Sequence, residues 1–202
     1  MIRARLPRDG MTGRRSFSHA IAEGDGISVI AAVDDPESAR SAEAQRAEAL
    51  VVRTDPRPIR EASALPILWR ADVSFDEAAE CADAVLLVFD DGDDVQDLHR
   101  RAIALGLDCA VQVRNEDDIE EALERIDPEI FLLSPTEVDD DETPLEYLLD
   151  LLAAVPAGKL AIADLPLVTP RETQELEQAG CDAVIATSRD IAALAGDLPP
   201  DV

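Results

Sequence analysis

Eight short apolar runs, spaced along the chain with helix-forming segments between them, constrain this sequence more than any other feature. They are Ile27–Val33, Ala49–Arg53, Leu65–Trp69, Ala84–Phe89, Leu107–Val113, Glu129–Leu133, Leu160–Ala163 and Ala183–Ala186. Each is nearly continuous in its apolar character. A half-exposed sheet alternates apolar and polar side chains, whereas strands covered on both faces do not. The runs therefore read as buried parallel strands.

The intervening segments carry helix punctuation. Ser74 with Glu77, Thr143 with Glu146 and Thr169 with Glu172 have capping-box spacing, in which a hydroxyl and a carboxylate satisfy the free N–H groups of a first turn. Pro144 and Pro170 stand where a first helical residue tolerates proline. Asn115 is placed to cap a helix running through Arg125, and Gly106 and Gly180 stand where a left-handed residue ends one. Leu98, Ile103 and Leu105, and Leu145, Leu148, Leu149 and Leu152, fall near helical spacing. Strand, helix and strand alternate with short connections, which predicts a parallel α/β fold. Eight units favour a closed ring over an open sheet. The expected fold is a compact, single-domain (β/α)8 barrel of the TIM type over residues 17–202, near the lower size limit for that architecture. An echo links Glu80-Cys81-Ala82-Asp83-Ala84-Val85 to Gly180-Cys181-Asp182-Ala183-Val184, four units apart, as half-barrel duplication would leave it.

Residues 1–16 stand apart, with Arg3, Arg5, Arg8, Arg14 and Arg15 against only Asp9. They read as a basic, disordered tail, and Met11 is an alternative start to Met1. No apolar run reaches the ~18 residues that a membrane span needs, and no apolar stretch follows the early arginines as in a signal peptide. A cytoplasmic protein without a membrane partner is expected. Cys81, Cys109 and Cys181 are widely spaced and form no CxxC pair, so buried thiols are predicted rather than disulfides or a zinc site.

The chain carries 44 acidic residues against 18 basic ones, a net charge of −26, and Lys159 is its single lysine. Nucleic acid is excluded as a partner, because phosphate backbones need a basic surface. No GxGxxG or P-loop is present, and no cofactor is expected. His19 and His99 are the only histidines, and neither can be assembled into a hydrolase triad. The acidic runs Asp90–Asp94 and Val138–Glu142 follow strands but lack calcium-loop spacing, so they read as solvated surface.

Several stretches resemble indole-3-glycerol-phosphate synthase, the ribulose-phosphate-binding barrel lyase of tryptophan biosynthesis. Phe17–Glu23 and Ile27–Val33 are similar to its first helix and strand, Leu65–Asp72 to its third strand, and Cys81–Val88 to its fourth. Leu105–Asp118 is similar to its fifth strand and the turn that follows, and Ala161–Thr187 to its last two units. The likeness spans residues 17–194. It implies a site at the C-terminal strand ends, with a lysine general acid, glutamates for proton transfer, and a phosphate held after the last two strands.

Residue by residue, this chain departs from that set. Ala32 and Asp34 stand where the first strand's glutamate and lysine belong, and Arg70 replaces the general-acid lysine. Asp72 replaces an aromatic, Gln112 the fifth-strand glutamate and Ser134 an asparagine. Asp164-Leu165-Pro166 replaces the glutamate-serine-glycine run, and proline has no N–H for a phosphate. No residue is assigned a catalytic role, and Arg70, Gln112, Asp164 and Asp34 are the candidates at the mouth. Thr187, Ser188 and Ser38 are the candidates for holding phosphate. Arg70 and Asp164 either pair and plug the mouth or belong to a reorganised pocket for a small anion, and Arg53 fits either arrangement.

Two functions remain open. One is a barrel that has lost the lyase reaction and acts by binding a small anionic or phosphorylated ligand, a protein partner or a second copy of itself. The other is a carbon–carbon lyase or related phosphosugar enzyme with altered groups.

Like charges at this density oppose compaction, and molar salt cuts the screening length to ~3 Å. The composition predicts a protein adapted to molar salt. Its melting temperature should rise steadily from dilute buffer to molar KCl, as followed by circular dichroism. A flat or falling series would contradict the expectation.

Overall fold

A computed structural model describes residues 16–23, 26–70, 75–89, 94–135, 143–166, 168–187 and 191–194. Eight parallel strands form a closed barrel in chain order: β1 (Ser28–Val33), β2 (Ala49–Val52), β3 (Ile67–Trp69), β4 (Ala84–Val88), β5 (Asp108–Val113), β6 (Ile130–Leu133), β7 (Leu160–Ala163) and β8 (Ala183–Ala186). The ring closes where β1 pairs with β8, with Ser28 beside Ala183 and Ala31 beside Ala186. Eight helices alternate with the strands: α1 (Phe17–Ala22), α2 (Pro36–Ala44), α3 (Arg57–Ala62), α4 (Phe75–Cys81), α5 (Val95–Ala104), α6 (Glu116–Arg125), α7 (Pro144–Ala154) and α8 (Pro170–Ala179). The single-domain (β/α)8 barrel expected from the apolar runs is the fold observed.

The strands read as continuous apolar runs because each is buried twice. One set of side chains, including Val29, Ala31, Val33, Leu50, Val52, Val111 and Val113, packs outward against the helices. The alternate set, including Ile30, Val51, Leu68, Ala110, Leu132, Ile162 and Ile185, fills the interior of the ring. The interior is fitted by size. Ile30 lies in register with Ala49, Leu68 with Ala84, Ile130 with Ala110, and Ile162 with Ala183. At these positions a large side chain meets a small one on the neighbouring strand, whereas Ile30 with Ile185 and Leu132 with Ile162 set large beside large. From below, Phe17 and Ile21 of α1 reach into the same interior cluster. Ser18 N–H donates to Asp108 Oδ2 at 2.8 Å, and Ser28 Oγ donates to Ile21 O at 3.2 Å. These bonds hold α1 as the floor of the barrel.

One residue before Ala49, Ala84 and Ala183 stand Glu48, Asp83 and Asp182. Each carboxylate accepts a backbone N–H at the start of the preceding strand: Val29 at 2.8 Å, Ile67 at 2.9 Å and Ala161 at 2.8 Å. The acid-alanine step thus recurs in three strand pairs, and it accounts physically for the echo between Asp83-Ala84-Val85 and Asp182-Ala183-Val184. Asp83 also holds the Arg60 guanidinium in a buried ion pair. Arg60 in turn donates to Cys81 O at 3.2 Å and Leu65 O at 3.0 Å, joining α3 to the base of β3 and β4.

The helix ends follow the sequence signals closely. Thr143–Glu146 and Thr169–Glu172 form complete capping boxes, and Asn115 caps α6. Gly106 and Gly180 have φ of 75° and 92°, the left-handed region where an L side chain is strained. Ser74 lies outside the described residues. Ser16, assigned by sequence to the basic tail, is the N-cap of α1, and residues 1–15 lie outside the described residues. On α5, Val95 and Ala102 are buried, whereas Ile103 is 54% exposed. The expected Leu98–Ile103–Leu105 face is therefore rotated away from Ile103. Cys81, Cys109 and Cys181 are buried free thiols, and burial pushes Cys109 and Cys181 up to about 12. Among the described residues, no helix is long and apolar enough to cross a membrane.

Burial raises Glu48 above its ordinary 4.5, against the opposing pull of the Val29 N–H. A raised folded value means that the ionised group weighs against folding at neutral pH, and that this cost disappears below pH 4.5. Glu48→Gln keeps an acceptor for Val29 and removes the charge. It should melt no lower than the parent at pH 7, with its advantage shrinking as the pH falls through 4.5. Glu48→Ala leaves that N–H without a partner and should cost ~1–3 kcal/mol by chemical denaturation. Equal stability of the alanine variant would show that the bond contributes nothing.

Candidate functional site

Strand alternation decides which side chains reach the C-terminal mouth. Ala32, Val51, Leu68, Leu86, Ala110, Leu132, Ile162 and Ile185 belong to or pack against the interior cluster. Two residues further on, the same inward phase carries Asp34, Arg53, Arg70, Val88, Gln112, Ser134, Asp164 and Thr187 to the rim. The chemistry of such barrels is built at this end.

Arg70 and Asp164 meet across the mouth. Arg70 Nη1 lies 2.9 Å from Asp164 Oδ2, and both side chains are 12% exposed. Arg70 follows β3 and Asp164 follows β7, so the residues stand four strands apart whichever way the ring is followed. The contact therefore crosses the full interior. Each backbone is fixed by the continuing ladder: Arg70 N–H donates to Val52 O at 2.8 Å and Asp164 N–H to Leu133 O at 2.9 Å. Ser134 Oγ donates to the same Asp164 Oδ2 at 3.2 Å. The arginine contact has the separation of an ion pair without the alignment of a hydrogen bond, since buried Nη1 has no hydrogen-bond partner. The attraction is Coulombic, and its N–H capacity is not used up.

The other candidates are placed less centrally. Gln112 is half-buried on the inward face of β5. Asp34 is exposed, and its carbonyl accepts Thr54 Oγ1 at 3.4 Å. Ser38 lies in the first turn of α2, where its hydroxyl donates to Asp35 O at 2.9 Å and its N–H to Asp35 Oδ1 at 2.9 Å. Thr187 Oγ1 donates to Pro166 O at 3.3 Å, drawing the β7 and β8 exits together. Arg53 is exposed, with no ion pair among the described residues. Ser188, Asp72, the cluster at 90–93 and the cluster at 138–142 lie outside the described residues.

Lys159 stands at the opposite end of the barrel. It precedes β7, and its Nζ lies 2.6 Å from Asp127 Oδ1. His19 pairs with Glu23 at 3.0 Å in α1, also below the barrel. His99 lies in α5, where burial lowers its pKa. Among the described residues, no group of three histidine, cysteine or carboxylate side chains is placed to hold a metal ion.

Sequence reasoning had not paired Ser134 with Asp164, although Ser134 continues the inward phase of Leu132. It also missed a cleft of about 490 Å³ outside the mouth, lined by Thr143, Leu145, Leu165, Pro166, Thr169 and Arg171. The cleft opens between the starts of α7 and α8, and its helix N-termini are already closed by their capping boxes. Among the described residues, the mouth holds the Arg70 guanidinium and the Asp164 carboxylate at its centre, Arg53 and Asp34 exposed at its rim, and neutral amide and hydroxyl groups. Guanidinium stays protonated at working pH and glutamine has no proton to exchange, which leaves the carboxylates as the groups here that can accept a proton.

No family model matches the chain. It is similar to the indole-3-glycerol phosphate synthase of Geobacillus sp. (strain WCH70), at 27% identity over 165 residues, covering 73% of this chain and 64% of that protein. The synthase of Verminephrobacter eiseniae (strain EF01-2) is 33% identical over 113 residues, covering 55% of this chain and 42% of that protein. The chain thus spans less than two thirds of these relatives' length. Among solved structures, it shares its fold with the N-acetylmannosamine-6-phosphate 2-epimerase from Clostridium perfringens, with a TM-score of 0.67 at 16% identity over 82% of this chain and 88% of that one. A thiamine phosphate pyrophosphorylase from Pyrococcus furiosus superposes with a TM-score of 0.61 at 17% identity, over 84% of this chain and 90% of that one. The protein is a (β/α)8 barrel with low-identity sequence similarity to indole-3-glycerol phosphate synthases.

Proposed function

We propose that this protein is a divergent synthase-like barrel that no longer carries out the lyase reaction and acts by binding. The observation that carries the reading is the content of the mouth: Arg70 and Asp164 occupy its centre, and the chain's single lysine lies at the far end. Ring closure on a phosphorylated sugar needs a group that gives up a proton and a partner that takes one. Arg70 holds its proton too tightly to be a general acid, and Gln112 exchanges none. Pro166, in the loop after β7, has no N–H to donate to a phosphate. Each lost proton-transfer group typically costs ~10²–10⁴ in rate. Such losses together leave little of the parent reaction.

The relatives and fold neighbours act on phosphorylated compounds by name, which supports a small phosphorylated or other anionic ligand here. A lyase or other phosphosugar enzyme with substituted groups is the alternative, and the sequence similarity to the synthases favours it. A cytoplasmic, salt-adapted protein fits the charge balance of −26.

The full-length protein, folded in molar KCl, should convert the synthase's phosphorylated open-chain sugar no faster than buffer does, as followed by indole fluorescence. Turnover within ~100-fold of an intact synthase would overturn the proposal. Arg70→Lys alone should restore no turnover, because Ala32 and Gln112 still stand where the family's glutamates belong.

A further inference from the structure

We propose that Arg70 is the receptor for a small oxyanion and that Asp164 is its built-in competitor, so that a ligand enters the mouth by displacing the carboxylate from the guanidinium. This inference rests on the binding role proposed above and names the residue and the ligand chemistry that serve it.

Four observations converge on this arrangement. First, the contact is close but misaligned: Arg70 Nη1 is buried, 2.9 Å from Asp164 Oδ2, and has no hydrogen bond. A planar guanidinium reaches full strength when it donates two parallel N–H bonds to one oxyanion. Asp164 reaches across the barrel from the opposite strand and does not make that fork. Second, the carboxylate is itself held back, because Ser134 Oγ donates to the same oxygen. Third, Arg53 continues the β2–β3 register beside Arg70, after Val52 and Trp69 are paired. It is exposed and has no ion pair among the described residues. Among the described residues, two arginines on neighbouring strands thus follow the inward phase to a mouth in which one central carboxylate answers Arg70, with Asp34 exposed at the rim. Fourth, Gln112 and Thr187 place neutral hydrogen-bonding groups on the same inward phase.

An oxyanion free in solution can take the aligned geometry that Asp164 cannot. When it binds, the ion pair opens, Asp164 keeps its bond from Ser134, and no covalent bond changes. The internal carboxylate lowers the apparent affinity by the fraction of time it occupies Arg70. Phosphate and carboxylate share the required chemistry, and comparing the two separates them. A preference for phosphate points to a phosphorylated ligand, with Arg53 as a second donor.

The test is isothermal titration of inorganic phosphate and, separately, acetate into the full-length protein at constant molar KCl. Parent, Asp164→Asn, Arg70→Gln and Ser134→Ala proteins are compared, with circular dichroism to verify folding. Asp164→Asn should bind the preferred anion ~10-fold more tightly than the parent, and Arg70→Gln should abolish binding. Ser134→Ala, which frees the carboxylate from its restraint without removing it, should change the affinity by less than Asp164→Asn. Should Asp164→Asn fail to fold, the double variant Arg70→Gln/Asp164→Asn, which leaves no unpaired charge, should fold and bind neither anion. Equal affinities in parent and Arg70→Gln, or binding by the double variant, would overturn the proposal. The lyase assay above is independent: turnover there sinks the non-catalytic reading, whereas unchanged titrations without turnover sink only the role of Arg70 and Asp164.

Discussion

Every other feature depends on closing the ring between β1 and β8. A parallel sheet left open would expose its strand edges, and the inward faces would lose the cover that the ring gives them. Closure turns the inward faces into an enclosed volume that must be filled without voids. The pairings of Ile30 with Ala49, Leu68 with Ala84, Ile130 with Ala110 and Ile162 with Ala183 set large against small in four strand pairs, while Ile30 with Ile185 and Leu132 with Ile162 set large against large. Phe17 and Ile21 fill the lower end, and the interior opens to the charged pair Arg70 and Asp164 at the C-terminal mouth. Carboxylates at Glu48, Asp83 and Asp182 complete the lower rim by accepting N–H groups that the ladder leaves over.

The mouth inherits its geometry from the same closure. In an open sheet, residues after β3 and β7 would stand several strand widths apart. Rolled into an eight-stranded ring, they face each other across a narrow interior, and Arg70 reaches Asp164. A partly buried ion pair of this kind is weak evidence for stability, because desolvation offsets much of its attraction. Its consequence is positional: it sets a guanidinium and a carboxylate at the centre of the mouth and ties the exits of β3 and β7 together. The two ends of the barrel thus divide the work. The lower end uses carboxylates to bind backbone and fix the fold, while the upper end uses a carboxylate to hold a cation.

Much of this was legible without coordinates. The eight apolar runs match the eight strands to within a residue or two at each end, and the capping boxes at Thr143 and Thr169 are where the spacing put them. Local chemistry explains that success, since caps, glycine turns and double burial leave marks within a few residues. The Arg70–Asp164 pairing was legible only as one of two alternatives, because its partners lie far apart in the chain and depend on strand phase. Ser134 looked like a mere substitution until its hydroxyl was found on Asp164. The exposure of Ile103 was missed for a similar reason: apolar spacing within α5 does not say which face of the helix meets the barrel.

The amino-acid sequence alone determined the kind of element at each position, the number of units, the excess of negative charge and the absence of a lysine from the C-terminal strand ends. These are matters of composition and local periodicity, and no long-range contact is needed to read them. Tertiary structure alone decided that Arg70 spans the ring to Asp164, that Ser134 shares its oxygen, and that Glu48, Asp83 and Asp182 turn inward to backbone amides. Such outcomes depend on register and ring closure, which bring distant residues to within ~3 Å through the summed geometry of many strands rather than through any local signal.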